Sequence, residues 1–436
     1  MALATTERTL SEIALPLTQD KDLDSLLFEI AEARFVLIGE ASHGTSDFYS
    51  WRSALTRRLI EGKNFDFVAV EGDWPACYEI NSFIKKYDNS KNTAKEALNV
   101  FKRWPTWMWA NQEVLRFVEW LKNHNQSLPV EKRVGFYGLD VYSLWESLGE
   151  VTSYLKQRYP ELLPDAQQAY KCFEPYADDE YAYAQATAFL PKNCEAEVVD
   201  LLVKLRQKNN KKNKSQDDFE AAFNAEQNMH VVVNAERYYR AMVQGSSNSW
   251  NVRDQHMVET LYNIAKRYGG SSKGIVWAHN THVGDARFTD MATAGMVNIG
   301  QLVRQQESRE EVFLIGFGTY SGSVIAGRYW DAPAEVMDVP PAKENSWEEE
   351  MHDSVAANAL FLSRDLQSIT GSNHPFGHRA IGVVYNPERE RGNYVPTILS
   401  GRYDSFLFID RSHALHPLHG EHPNLKELPE TFPYAF

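Results

Sequence analysis

The feature that most constrains this chain is a series of short, continuously apolar runs separated by stretches of helical spacing. They are Phe35 to Gly39, Phe67 to Val70, Val134 to Gly138, Gly274 to Ala278, Val312 to Gly316, Ala380 to Tyr385 and Ser405 to Ile409. A strand with one wet face alternates apolar and polar residues, whereas a run that is apolar throughout belongs to a strand covered on both faces. The pattern predicts an α/β fold with a mixed, mostly parallel sheet flanked by helices. Most of the runs are followed at once by polar residues: Glu40-Ala41-Ser42-His43, Glu71-Gly72-Asp73-Trp74, Leu139-Asp140, and His279-Asn280-Thr281-His282. Ligands of open α/β sheets bind beyond the carboxyl ends of the strands, where loops converge and helix N-termini point inward. The ionisable residues therefore stand where a site is expected.

From about Leu144 to Val243 the strand runs stop and the chain reads as long amphipathic helices with little glycine. This block is predicted to be a helical cap, 144–243, inserted over the cleft of a discontinuous α/β core formed by 1–143 and 244–436. The basic run Lys208 to Ser215 reads as a solvated loop tip, and the tail with Pro417, Pro423, Pro429 and Pro433 as extended wrapping. Lys plus Arg number 45 against 59 Asp plus Glu, so the net charge is 45 − 59 = −14. A field of that sign repels phosphate backbones and anionic lipids, which excludes nucleic acid and membrane surfaces as natural partners and leaves a small-molecule substrate. The three cysteines, Cys77, Cys172 and Cys194, form no C-x-x-C pair. They argue for a reducing compartment and against a disulfide scaffold. With no basic and apolar leader at Met1 to Asp20 and no 18-residue apolar stretch, a cytoplasmic location is expected; the oligomeric state is not legible.

His43 is the natural centre of the chemistry. Thr45 or Ser46 is expected to cap a helix on which Phe48, Trp51, Leu55, Leu59 and Ile60 share a face, so His43 would stand beside a helix N-terminus. A neutral imidazole titrates near neutral pH and suits a general base. A lone histidine is more often a hydrogen-bonded structural residue, but this one has neighbours. Glu40 is three residues away, Glu71 closes the next strand, Arg52 lies on the following helix, and His279 and His282 close a further strand. Such a cluster of titratable groups at several strand ends suggests a catalytic centre. Asp73, Trp74, Trp107, Asp140 and Tyr142 are candidates for lining a substrate pocket, with core packing an equal expectation for the tryptophans. No G-x-S-x-G elbow, Walker loop or G-x-G-x-x-G is present, which disfavours a serine hydrolase and phosphate binding. His279 and His282 with His43, Glu40 and Glu71 also leave a metal-dependent hydrolase open.

Val36-Leu37-Ile38-Gly39-Glu40-Ala41-Ser42-His43-Gly44, Val70-Glu71-Gly72-Asp73-Trp74-Pro75, Pro105-Thr106-Trp107-Met108-Trp109, Trp277-Ala278-His279-Asn280-Thr281-His282 and Gly382-Val383-Val384-Tyr385 together resemble the erythromycin esterase family. Some of its members are labelled succinoglycan biosynthesis proteins. The resemblance runs from about Phe35 to Leu415. It implies an α/β core with a helical cap, and a hydrolase that opens a macrolide lactone with activated water, without metal, cofactor or acyl-enzyme. By position, His43 is similar to the family's general base, with Glu40, Arg52, Glu71, His279 and His282 completing the site. The form Glu71-Gly72-Asp73-Trp74-Pro75 departs from the resistance enzymes of the family, so the resemblance reaches the catalytic centre further than the substrate. Besides an ester or lactone hydrolase, the expectations are a metal-dependent hydrolase on the same residues and a non-catalytic small-molecule binding protein.

Overall fold

The computed structural model describes residues 8–87, 90–176, 180–189, 193–209, 216–244, 247–369 and 372–419. Its strands are β1 (Leu15–Pro16), β2 (Phe35–Ile38), β3 (Phe67–Asp73), β4 (Gly135–Asp140), β5 (Gly274–Trp277), β6 (Val312–Ala326), β7 (Glu335–Val339), β8 (Ala359–Leu362), β9 (Phe376–Arg379), β10 (Tyr394–Thr397) and β11 (Ser405–Ser412). Nine of them form one sheet in the order β1-β8-β11-β6-β2-β5-β3-β4, with β7 on the far end of β6. The run from β11 to β4 is parallel, and β1, β7 and β8 join antiparallel. This is the mixed, mostly parallel sheet flanked by helices that the apolar runs predict.

Side chains explain why those runs are continuous. Val36, Ile38, Val68, Val70, Ile275, Trp277 and Ile315 enter one hydrophobic core. Their neighbours Phe35, Leu37, Phe67, Ala69, Val276 and Leu314 enter another. Successive residues of a strand point to opposite faces, so a sheet with a helix layer on each side needs apolar residues at every position. On the first side lies the helix Ser46–Lys63, through Phe48, Leu55, Leu59 and Ile60; on the second lies the helix Asn248–Tyr268, through Met257, Leu261 and Ile264.

Register brings the strand ends level. Ile38 pairs with both Ile315 and Trp277, Trp277 with Val70, and Val70 with Gly138. Glu40, Glu71, Asp140 and His279 therefore leave the sheet within two residues of one common row. The Ala380–Tyr385 run, expected as a strand, is not part of the sheet. It makes isolated bridges from Ile381 to Ser42 and from Val384 to Gly327, and Ala380, Ile381, Val383 and Tyr385 are buried where it crosses the Glu40–His43 loop. The run at Val134 becomes β4, beginning one residue and ending two residues further on; β1 and β7 carry no such run, and the Ala359–Leu362 run that forms β8 is not among those read from the sequence. Thr45 is the N-cap of the Ser46–Lys63 helix, as expected, but its hydroxyl caps nothing. The Ser46 N–H is taken by the His413 carbonyl, so that donor is not open to an anion.

Within 144–243 the described residues form the helices Leu144–Arg158, Leu163–Phe173, Glu180–Phe189, Glu195–Asn209 and Gln216–Gln244. They enclose a core of their own around Leu148, Val151, Phe173, Leu201 and Tyr239. Cys172 and Cys194 are joined by a disulfide that ties the Leu163–Phe173 helix to the residue before the Glu195–Asn209 helix, which corrects the expectation of unpaired thiols and removes the basis for reading a reducing compartment from cysteine usage. The loop tip at 210–215 and the proline-bearing tail from 420 onward lie outside the described residues. Among those described, no helix is long and apolar enough to cross a membrane.

Candidate active site

Glu40 and Glu71 each take an arginine from the helix layer on their own side of the sheet. Glu40 continues the face of Ile38, and the Ser46–Lys63 helix delivers Arg52 to it, with Arg52 Nη2 2.6 Å from Glu40 Oε2. The other carboxylate oxygen, Oε1, lies 2.9 Å from His43 Nδ1. Arg52 is clamped between aromatic rings, its guanidinium carbon 4.2 Å from the Tyr49 ring centre and 5.1 Å from that of Trp277. It is thereby committed to Glu40 rather than to a substrate oxygen. The carboxylate fixes the hydrogen of His43 on Nδ1 and leaves Nε2 with its lone pair. Among the described residues Nε2 has no hydrogen-bond partner. A side chain on Gly44 would strike the Ile325 carbonyl, and that close approach holds the loop against β6.

Glu71 continues the opposite face and meets Arg253 from the helix Asn248–Tyr268. Arg253 Nη2 donates to Glu71 Oε1 at 2.6 Å and to Asp140 Oδ2 at 2.7 Å, and Arg253 Nε donates to Asp140 Oδ1 at 3.0 Å. Burial raises the Glu71 pKa, but His282 and Arg253 outweigh it and hold the carboxyl well below its usual range. Its Oε2 accepts the His279 backbone N–H at 2.8 Å, fixing the β5 loop.

The two imidazoles of that loop are in opposite states. His279 Nδ1 faces the Thr281 hydroxyl at 2.8 Å and the Thr281 N–H at 3.3 Å, so it accepts and the ring hydrogen sits on Nε2. Burial first, then His43, pushes its pKa well below the ordinary value, so the ring is neutral. His282 is stacked on Trp250 with ring centres 4.5 Å apart, and its Nδ1 lies 3.0 Å from both oxygens of Asp254. Burial lowers its pKa, but Asp254 and then Glu71, 3.4 Å from Nε2, lift it to about 9. Arg253 Nη1 stands 3.0 Å from the same Nε2, a contact a neutral ring would accept and an imidazolium repels. Glu71, Asp140 and Asp254 outnumber Arg253, and that excess favours the imidazolium.

A pH prediction follows from His282. The folded ring holds its proton more tightly than the unfolded chain, whose ordinary value is about 6.5. The resulting stability is fully present below that value and is lost as pH rises through about 9. Urea midpoints of the wild type are expected to fall over this window and those of His282→Gln to fall less. Equal slopes would remove the imidazolium assignment.

His43 and His279 stand with ring centres 5.0 Å apart, and Glu40, His43, Arg52, Glu71, Arg253, His279 and His282 are all at most 1% exposed. The structure thus brings together the residues Glu40, His43, Arg52, Glu71, His279 and His282 read from the strand ends. Asp140 joins them through Arg253, whose guanidinium carbon also lies 5.1 Å from the Tyr142 ring centre. Trp74 and Trp107 pack in the two hydrophobic cores on either side of the sheet. Asp73 points elsewhere: its Oδ2 accepts from Arg103 Nε at 3.0 Å, beside a cavity of about 260 Å³ lined by Glu79, Phe101, Glu146 and Glu150.

Arg253 and Asp254 are absent from the sequence reading, as are His378 and Glu348, which support the loop from behind. His378 Nε2 lies 3.1 Å from Asn280 Nδ2, and its Nδ1 2.6 Å from Glu348 Oε1. The signal for Arg253 and Asp254 is their spacing. With Trp250, Met257, Leu261 and Ile264 they occupy the buried stripe of their helix, where charged residues need partners. Among the described residues no three His, Cys, Asp or Glu side chains are grouped to hold a metal ion, since Glu71, Asp140 and Asp254 are turned to Arg253 and His282.

The protein-family model described as erythromycin esterase matches residues 60–412. It takes in the Glu71, Trp107, His279 and Tyr385 motifs and begins after Glu40, His43 and Arg52. Three solved structures share the fold. A succinoglycan biosynthesis protein is 20% identical with a TM-score of 0.76, over 94% of this chain and 97% of the other. A protein from Bacillus cereus is 17% identical with a TM-score of 0.75, over 94% and 98%. A histidine-to-asparagine variant of the erythromycin esterase EreC, in its open conformation, is 18% identical with a TM-score of 0.66, over 94% and 97%. With four-fifths of its length matched by the family model and a fold shared along nearly all of it, the chain belongs to the erythromycin esterase family.

Proposed function

We propose that the protein hydrolyses an ester or lactone, macrolide-like or other, with water activated by His43 and without a metal or acyl-enzyme. The observation that carries this is the buried chain Arg52–Glu40–His43, which ends on an Nε2 lone pair beside a neutral, Nε2-protonated His279. His43 takes a proton from water as the oxygen attacks the carbonyl carbon. The His279 Nε2–H donates to the oxyanion of the tetrahedral adduct. Collapse breaks the acyl C–O bond, and His43 returns the proton to the departing alkoxide. Glu40 is a positioning residue for His43, Arg52 for Glu40, and Glu71 for the His279 loop. His282, held as an imidazolium, supplies fixed positive charge behind that loop.

The centre is sealed, so substrate enters only when the molecule opens. We assign that movement to the helices of 144–243 as a cap: Tyr239 of the Gln216–Gln244 helix donates to the Tyr142 carbonyl at 2.7 Å, just beyond β4. The family assignment supports a hydrolase; the ester bond and the metal independence rest on the arrangement of Glu40, His43 and His279. A screen over esters and lactones of graded size, macrolides included, is expected to find turnover that survives chelation. Loss of activity on chelation and its return with one metal would overturn the metal-independent mechanism.

Glu40→Gln tests the positioning role. A neutral amide no longer holds the Nδ1 hydrogen, so kcat is expected to fall by about 10²-fold or more while KM changes little. An unchanged kcat would limit Glu40 to packing.

A further inference from the structure

A groove of about 190 Å³ lies between the core helix Trp74–Lys85 and the helices Leu144–Arg158 and Gln216–Gln244. Asn224 and Asn228, one turn apart on the last of these, line it from one side. Hydrogen bonding fixes how both amides are turned. The Trp74 indole N–H is a donor only, so the Asn224 atom that faces it at 2.8 Å is Oδ1. Asn228 faces two acceptors, the Asn224 carbonyl and that same Oδ1, at 3.0 Å each, and meets them with Nδ2. Turning either amide over would set donor against donor or acceptor against acceptor. One acceptor and one donor are left over. Asn228 is fully buried, and its Oδ1 has no hydrogen-bond partner among the described residues. Asn224 has committed its oxygen twice, which leaves Nδ2 as the group it can offer to a ligand.

The core side supplies a flat wall and a charge filter. The half-buried Tyr78 ring lines the groove and lies along Trp74, with ring centres 6.1 Å apart and planes 21° from parallel. Glu79 and Glu150 also line it, and Lys91, 3.5 Å from Glu79, is paired there. An anionic guest would therefore meet two carboxylates. Sites for drug-sized ligands start at about 300 Å³, so this smaller space suits a single ring. A buried acceptor left unmade costs free energy that a donor from a guest recovers.

We propose that this groove binds a planar primary carboxamide on a single ring, with the amide N–H on Asn228 Oδ1, the amide carbonyl on Asn224 Nδ2 and the ring along Tyr78. A carboxamide carries a donor and an acceptor side by side, the complement of what the two asparagines leave. A carboxylate has no donor and is repelled by Glu79 and Glu150, whereas an ammonium has nothing to accept from Asn224. The guest touches the core helix and the Gln216–Gln244 helix at once, so it ties the two together and acts as an effector rather than a substrate. None of the residues assigned to the hydrolytic centre lines the groove, and the assignment stands apart from that reading.

Benzamide, benzoate and benzylamine share a ring and differ in the group it carries, and calorimetric titration of each into the full chain near neutral pH tests the proposal. Benzamide is expected to bind saturably and at least ~10-fold tighter than either ion. Asn224→Asp keeps an oxygen toward Trp74 and Asn228 and turns only the leftover donor into an acceptor. It should weaken benzamide about tenfold while urea unfolding stays cooperative. Asn228→Ala should abolish the binding, and Glu150→Gln should narrow the gap between benzamide and benzoate. Benzylammonium binding as tightly as benzamide would show a groove that reads charge alone and overturn the proposal. So would no saturable binding of benzamide, or benzamide binding indifferent to Asn224→Asp. The His43→Ala chain is expected to bind benzamide as the wild type does, whether or not it still hydrolyses an ester. Loss of benzamide binding there would put the guest in the catalytic centre and overturn the groove assignment.

Discussion

Replacing His43 with Ala is expected to lower turnover of any hydrolysed ester by about 10²- to 10⁴-fold, the usual contribution of a positioned general base. The loss should fall on kcat, because His43 acts on water and not on substrate binding. The Nε2 atom is fully buried and has no hydrogen-bond partner among the described residues, so no protein bond from that nitrogen is lost with it. Only the Nδ1 bond to Glu40 disappears, leaving that carboxylate paired with Arg52. Cooperative urea unfolding and an unchanged circular dichroism spectrum are expected beside the lost activity. His43→Gln, which nearly fills the volume but is no base, separates chemistry from packing. Wild-type activity in either variant would discard the mechanism.

Arg253→Met is expected to be the most destabilising single change in the site, by about 3 to 5 kcal/mol, because it strands partners rather than merely removing a contact. Arg253 is fully buried. Burial opposes its charge, but Asp140, Tyr142 and Glu71 overcome that and hold it protonated. Without the guanidinium, Glu71 and Asp140 face each other in a dry interior beside Asp254, with only His282 as a cation. Asp140→Asn on the Arg253→Met background removes one of those charges and should recover part of the loss. The comparison is the urea midpoint of the single and double variants. A loss below about 1 kcal/mol, as for exposed ion pairs, would show that water or a rearranged His282 replaces the arginine.

Both experiments remove partners of carboxylates at strand ends, and the extent to which the site residues were readable differs by residue. Glu40, Glu71, Asp140 and His279 are legible because each follows a run apolar enough to be a doubly covered strand, and such strands end where loops converge. Arg52 was legible as a member of the cluster but not in its role. Its spacing on the helix permits contact with a substrate oxygen, and only the clamp of Tyr49 and Trp277 turns it to Glu40. Arg253 and Asp254 were missed because a helix read for its apolar stripe gives no sign of which strand end it crosses. The disulfide was missed because Cys172, on one helix, and Cys194, just before another, stand 22 residues apart, a pairing that spacing does not reveal.

The sequence by itself determined the layer architecture. A period-2 chain with no polar position has to bury both faces, and a parallel sheet between two helix layers satisfies that. It also determined which chemical groups reach the carboxyl edge. Tertiary structure alone decided how they pair, since pairing depends on register and on which helix layer covers which face. Glu40 lies on the Arg52 side and Glu71 on the Arg253 side. That division leaves His43 as a base with an open Nε2, His279 as a neutral donor and His282 as a cation, and nothing in the residues' order separates the states of His279 and His282.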